Sequence, residues 1–245
     1  MESRVLEGQV AIVTGAGTGI GRAIAQEFAA NGARIALLGR RESKLDETAR
    51  SIPGPDRMII VCDVSDRNAV QDAVARVVSA WGGVDILVNN ASINSNPRSV
   101  FGVDPSVWDR TIQINLTGSY NCLRAVLDQM RSRKNGLVIN ISSIAGKRAS
   151  KLAGAAYSAT KHGVAALTHS INEEEVEFNI RATTIFPGEV ETPLLDDRPN
   201  PPSEEKRRTM LQPEDLAHAA LFVAALPPRA CVPELIIKPT VQLYQ

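Results

Sequence analysis

Seven short apolar runs constrain what this chain can fold into more than any other feature: Val10–Thr14, Arg34–Leu38, Met58–Cys62, Ile86–Asn89, Leu137–Ser142, Arg181–Phe186 and Leu235–Lys238. Several are nearly unbroken Val, Ile and Leu, as a strand must be when both of its faces are covered. Between them, Gly19–Asn31, Glu42–Ser51, Arg67–Trp81, Pro105–Arg131, Ala155–Glu177 and Glu214–Ala225 carry helical spacing. Pro105 suits a first helical turn, with Asp104 before it as the cap. Strand alternating with helix predicts an α/β fold, a parallel sheet with helices on both faces. Of the 245 residues 44% are hydrophobic, enough to fill one core, and no repeat or linker divides the chain, so residues 1–245 are expected to form a single domain.

The charge balance narrows the partner. With 27 basic and 27 acidic residues the chain advertises no broad attraction to nucleic acid or to an anionic membrane. A small molecule is the expected partner. Cys62, Cys122 and Cys231 are odd in number and far apart, which predicts buried, inert thiols rather than a disulfide framework. His162, His169 and His218 fit no metal spacing, so structural roles and no metal are expected. The opening MESRVLEGQV has no long apolar core, and the longest apolar run, from Ala219, is too short to span a bilayer. These features predict a cytoplasmic protein.

Two charged stretches stand apart. From Asp196 to Arg208 prolines and charges replace apolar periodicity, predicting a mobile loop that is either a solvated excursion or part of a substrate lid over residues 189–212. The acidic run from Asn172 to Glu177 reads as a solvated helix face.

After Val10–Thr14 the chain reads Gly15-Ala-Gly17-Thr18-Gly19-Ile20-Gly21. This does not fit G-x-G-x-x-G; Gly15, Gly19 and Gly21 form G-x-x-x-G-x-G instead. A strand ending at Thr14 and a helix starting near Gly19 bring free backbone N–H groups and the positive end of a helix dipole to one point, which suits an anion. By itself the turn also reads as a tight connection without a ligand. Tyr157 and Lys161 are four apart on a predicted helix and share a face. That pair alone is equally a partly buried tyrosine beside a surface lysine.

Taken together, the glycine turn, Asn89-Asn90-Ala91 and Tyr157-Ser-Ala-Thr-Lys161 resemble the short-chain dehydrogenase/reductase family, whose pattern is T-G-x-x-x-G-x-G, N-N-A-G and Y-x-x-x-K. The likeness continues through Asn115, Ile141-Ser142-Ser143 and Pro187-Gly188-Glu189-Val190-Glu191-Thr192. It implies a Rossmann-type doubly wound parallel sheet of about seven strands, with NAD(P) across the carboxyl ends of the strands. On that likeness Asp63 and Val64 meet the adenine, Asn90 and Ala91 line a ribose, and Pro187, Gly188, Val190 and Thr192 cup the nicotinamide. The alternative role for Asp63 is capping the helix near Arg67, through Ser65 or Asp66. Ser92 stands where the family has glycine, so positive φ is less accessible there.

The resemblance also implies the chemistry. Reducing a carbonyl leaves charge on its oxygen, which must be hydrogen-bonded and protonated. Tyr157 would move the proton, with the Lys161 ammonium lowering its pKa. Ser143 rather than Ser142 would hold the oxygen, Ser142 pointing into the sheet, and Asn115 would complete a relay to Lys161 through water. Substrate would meet Ser92–Val100, Ala149–Leu152 and the segment Glu189–Arg208, while Arg148 and Lys151 read as either an attraction for acidic substrate or solvated surface.

Gly39-Arg40-Arg41 follows the second strand, where NAD enzymes of this fold place an acid roughly 20 residues past the glycine turn to hold the ribose 2′-OH. Two guanidinium groups suit a 2′-phosphate instead, so NADP(H) is the expected cofactor, with NAD(H) the alternative. The expected activity is hydride transfer between NADP(H) and a secondary alcohol or ketone; the alternatives are a non-catalytic dinucleotide-binding redox sensor and an NAD-dependent alcohol dehydrogenase. The family likeness implies a homodimer or homotetramer paired through Pro105–Arg131 and Ala155–Glu177, the first carrying Trp108, Ile112, Leu116, Leu123, Val126 and Leu127.

Overall fold

The structure is a computed structural model that describes residues 4–94, 96–196, 198 and 200–243. The seven expected runs become β1 (Val10–Thr14), β2 (Arg34–Gly39), β3 (Arg57–Val61), β4 (Ile86–Asn89), β5 (Gly136–Ile141), β6 (Ile180–Pro187) and β7 (Glu234–Ile237). They pair in parallel in the order β3-β2-β1-β4-β5-β6-β7. The architecture is thus the doubly wound Rossmann type. All five residues of β1 are buried, which is why its sequence lacks a polar alternation.

The two faces of β1 feed separate cores. Ala11 and Val13 pack with Ile24 and Phe28 of α1 (Gly19–Ala30), Leu45 of α2 (Glu42–Ser51) and Leu216 of α8 (Pro213–Ala224). Val10 and Ile12 pack with Val70 and Val74 of α3 (Arg67–Trp81), Val126 of α5 (Gly118–Arg133) and Ile171 of α6 (Ala155–Glu174). A strand's period of two, met by helices on each side, makes both layers inevitable.

Strand order reverses between β1 and β4, and this opens a crevice at their carboxyl ends. One pin fixes it. Thr14 Oγ1 accepts from the N–H of Asn90 at 2.9 Å and of Ala91 at 3.0 Å, while donating to the Val88 carbonyl at 3.2 Å.

Several elements differ from expectation. The predicted helix Pro105–Arg131 is α4 (Pro105–Ile112) and α5 joined by a π-helical turn, Gln113–Thr117. The wide turn accommodates Asn115, which is buried and bonded away from the helix. Within this element Leu123 and Val126 belong to the sheet-facing core, whereas Trp108, Ile112, Leu116 and Leu127 keep partial exposure. The acidic run is not uniformly solvated: Glu175 is 3% exposed and accepts from Arg131 Nε at 2.6 Å. Cys231 is exposed, unlike the buried Cys62 and Cys122.

The charged segment after Asp196 is also not a bare loop. It contains α7 (Glu204–Arg207), capped by Ser203, and its basic side chains pair mostly with acids just before it. Arg198 and Lys206 both meet Glu189, at 2.9 and 3.1 Å, and Arg207 joins Glu191 at 2.8 Å to Asp196 at 2.5 Å. Among the described residues no helix is long and apolar enough to cross a membrane, and no cluster of His, Cys, Asp or Glu could hold a metal ion.

Candidate active site

The crevice between β1 and β4 deepens into a cleft of about 580 Å³. Its floor is the glycine turn. Gly15 has φ +64°, and a Cβ there would lie 2.8 Å from Asn90 Nδ2 and 3.0 Å from Ala91 Cα. A Cβ on Gly21 would collide with the Gly15 carbonyl and Asn90 Nδ2. Side chains at these two positions would fill the space between β1 and β4, so the turn is a cradle only with glycine. Arg22 fixes its shape from behind, donating to the Gly17 carbonyl at 2.6 Å and pairing with Glu47 at 2.9 Å.

Nearly every residue expected to hold the cofactor reaches this one cleft. Gly15, Gly17, Thr18, Gly19 and Ile20 line one wall, and Arg40, Arg41, Asp63 and Val64 line the end beyond β2 and β3. Asn90 and Ala91 also line it, as do Pro187, Gly188, Val190 and Thr192, with Thr192 directly beside Gly19. Two residues do not line it. Gly21 acts behind the turn through close packing, and Asn115 lies one layer back, bonding both backbone groups of Ile93, Oδ1 from the N–H at 2.8 Å and Nδ2 to the carbonyl at 2.9 Å. Asn115 Nδ2 also reaches Thr160 Oγ1 at 3.2 Å, beside Lys161.

Asp63 does not cap α3; Asp66 does, accepting from the N–H groups of Asn68 and Ala69. Asp63 accepts instead from Ser65 N and Oγ, at 3.0 and 2.7 Å, and from Arg110 at 2.8 Å. Burial pushes its carboxyl up, but the bonds from Ser65 and Arg110 outweigh this and hold its pKa below the usual value. Ser92 needs no positive φ, because Lys134 and Asn179 are the non-glycine residues that adopt one among those described. Serine is therefore compatible with the backbone, and its hydroxyl is buried without a hydrogen-bond partner.

At the reactive end, Ser143, Tyr157 and Lys161 face the cleft together. Ser142 turns away, though toward helix rather than sheet: its hydroxyl donates to the Lys161 carbonyl at 2.9 Å. Lys161 is 3% exposed; its Nζ donates to the Ile141 carbonyl at 2.8 Å and lies 5.3 Å from the Tyr157 ring centroid. Burial, rather than an ammonium beside it, dominates the phenol. Burial pushes Tyr157 up to about 12, against smaller downward pulls from a Ser143 hydrogen bond and the charges of Arg98 and Arg198. It also pushes Lys161 down to about 7, because a low-dielectric site disfavours the charged amine. The result is a neutral phenol, a proton donor, next to a serine hydroxyl.

The substrate side differs most from the sequence reading. Of the expected segments, Ser92, Ile93, Asn94 and Arg98, then Ala149, Ser150 and Leu152, then Glu189 and Leu194, Leu195 and Arg198 line the cleft; Ser95, Asp197 and Pro199 lie outside the described residues. Arg148 lines it, whereas Lys151 is exposed outside it. Lys44 and the C-terminal Gln242 and Leu243 line it without having been expected. Lys44 follows Arg41 by one helical turn, a spacing that could have marked it; the C-terminal pair carries no such signal.

A family model described as short chain dehydrogenase matches residues 9–202. The chain belongs to the short-chain dehydrogenase family. An uncharacterized oxidoreductase of Staphylococcus saprophyticus is 34% identical over 237 residues, covering 96% of this chain and 98% of that protein. A metagenomic short-chain oxidoreductase solved in complex with NADP superposes with a TM-score of 0.84 at 33% identity, covering 97% of this chain and 100% of that one. A 3-ketoacyl-(acyl-carrier-protein) reductase from Brucella melitensis, complexed with NADH, gives 0.86 at 31% identity over 95% and 97%. For a short-chain dehydrogenase, the glycine cradle that a Cβ would fill is the feature that fits a nicotinamide dinucleotide, with pyrophosphate at the start of α1.

Proposed function

We propose that this short-chain dehydrogenase interconverts a ketone and a secondary alcohol with NADP(H). The observation that carries the reading is the meeting of Ser143, Tyr157 and Lys161 at one end of the cleft whose floor is the glycine cradle. When bound, the dinucleotide supplies or takes the hydride. Ser143 O–H donates to the carbonyl oxygen and stabilises the charge that develops on it. Tyr157 O–H gives that oxygen its proton, and in the oxidative direction the phenolate takes the proton back. A phenol pushed up to about 12 is fully protonated at neutral pH, so the acid role is ready and the base role is not. Oxidation should therefore accelerate as pH rises, and reduction should not.

Asn115 is a positioning residue: it holds Ile93 and, through Thr160, the start of the Lys161 turn. Arg40 and Arg41 would meet the 2′-phosphate, and Asp63 and Val64 the adenine. The exposed parts of Trp108, Ile112, Leu116 and Leu127 support a homo-oligomer paired through α4 and α5, which sedimentation at micromolar concentration would test. Oxidation of NADPH and of NADH, followed by absorbance across a panel of diketones and quinones, tests the activity. Turnover with NADPH at higher kcat/KM is expected; no turnover despite tight dinucleotide binding would favour a sensor.

A further inference from the structure

Where Arg40 and Asp63 line the cleft, the charges include one partner that the cofactor reading does not use, Arg110. Asp63 Oδ2 is shared by two arginines. Arg110 of α4 approaches it at 2.8 Å, and Arg40 after β2 approaches it at 4.0 Å. Arg110 also reaches Ser65 Oγ at 3.4 Å, and Ser65 bonds the other oxygen, Oδ1. Asp63 and Arg40 line the cleft, as do Arg41 and Lys44; Arg110 does not. Lys44 is paired with Glu47 at 2.7 Å.

A carboxylate beside a phosphate subsite has two effects against phosphate. It repels the anion, and it draws the nearest guanidinium toward itself. Arg40, with 53% of its side chain exposed, is long and unburied enough to follow. By holding Asp63 Oδ2 at hydrogen-bond distance, Arg110 offsets the carboxylate's charge and leaves Arg40 the longer, looser contact to the same oxygen.

We propose that Arg110 is a positioning residue for cofactor choice: from outside the cleft it engages Asp63, which keeps the Arg40 guanidinium available to a 2′-phosphate. The proposal rests on the NADP(H) reading above. It assigns selectivity to a residue outside the cleft lining, acting through the Asp63 carboxylate.

The test uses adenosine 2′,5′-bisphosphate and adenosine 5′-monophosphate as probes, with dissociation constants measured by calorimetry on the full chain at low salt, where exposed charges are least screened. In Arg110→Met, affinity for the bisphosphate should fall about fivefold while that for the monophosphate changes less than about twofold. Arg110→Lys should recover most of the loss, since it returns the charge. In the double variant Arg110→Met with Asp63→Asn, the ratio of the two affinities should return toward that of the parent, because the carboxylate that Arg110 offsets is gone. Equal losses for both probes, or an unchanged ratio in Arg110→Met, would overturn the proposal and leave Arg110 as a tie between α4 and the β3 end. Should the parent chain itself bind the bisphosphate no better than the monophosphate, the NADP(H) reading fails instead.

Discussion

The two ends of the cleft are built from different materials. Around the glycine turn, the contacts are backbone and short side chains: Thr14 holds Asn90 and Ala91, Asn90 Nδ2 returns to the Thr14 carbonyl at 3.0 Å, and glycines fill what space remains. Behind the wall that Glu189 and Arg198 line, long charged side chains from separate segments do the holding, Glu189 with Arg198 and Lys206, and Arg207 with Glu191 and Asp196. A backbone cradle has one shape and fails when a single atom is added. An ion-paired strap yields by degrees, because its charges are shared among several partners and losing one pair leaves the others in place. Constant ligand chemistry suits the first kind of wall, and a variable substrate suits the second.

Gly21→Ala should break the comparison most severely. The new methyl meets the Gly15 carbonyl and Asn90 Nδ2, so the first turn of α1 must move away from the segments that follow β1 and β4. Dinucleotide affinity should fall about a hundredfold and stability by about 1–3 kcal/mol, read by calorimetry and denaturant unfolding. An alanine variant with parent affinity would show that the cradle is not rigid. Arg40→Ala should be milder, costing about tenfold in kcat/KM for NADPH and little for NADH. Equal losses with both cofactors would reject its assignment to the phosphate.

The strap should respond least. Arg207→Ala removes the link between Glu191 and Asp196, and KM for the carbonyl substrate should rise about threefold with dinucleotide affinity unchanged. Acid probes the same wall. Burial pushes Glu189 up, but its bonds from Arg198 and Lys206 prevail and hold its pKa below the usual value of 4.5. Its stabilisation is thus fully present above 4.5 and is lost as pH falls through the lower folded value. A strap that loosened on raising pH from neutral would contradict this pairing.

The same contrast governs what could be read from the sequence. Strands buried on both faces write themselves as unbroken apolar runs, and Val10–Thr14 and Ile86–Asn89 begin and end where the runs do. The glycine turn and the Tyr157–Lys161 pair were legible only together, because their order along the chain with Asn89-Asn90-Ala91 resembles the short-chain dehydrogenase/reductase pattern. Three-dimensional burial was not. It sets the Tyr157 phenol above and the Lys161 amine below their ordinary values, an outcome that depends on how many atoms surround each group rather than on its neighbours in sequence. The π turn at Asn115 was equally hidden, since its helical spacing before and after gives no sign of a widened turn. Glu175 and Arg131 lie 44 residues apart, so a run of acids could not reveal which member was buried and paired.

The most direct measurement is kcat/KM for carbonyl reduction in Tyr157→Phe alongside the dissociation constant for NADPH. The phenyl ring keeps the packing and loses only the hydroxyl that carries the proton. Turnover should fall about a thousandfold, with NADPH affinity changed less than about threefold. Residual activity within about tenfold of the parent would contradict the assignment of Tyr157 as the proton donor.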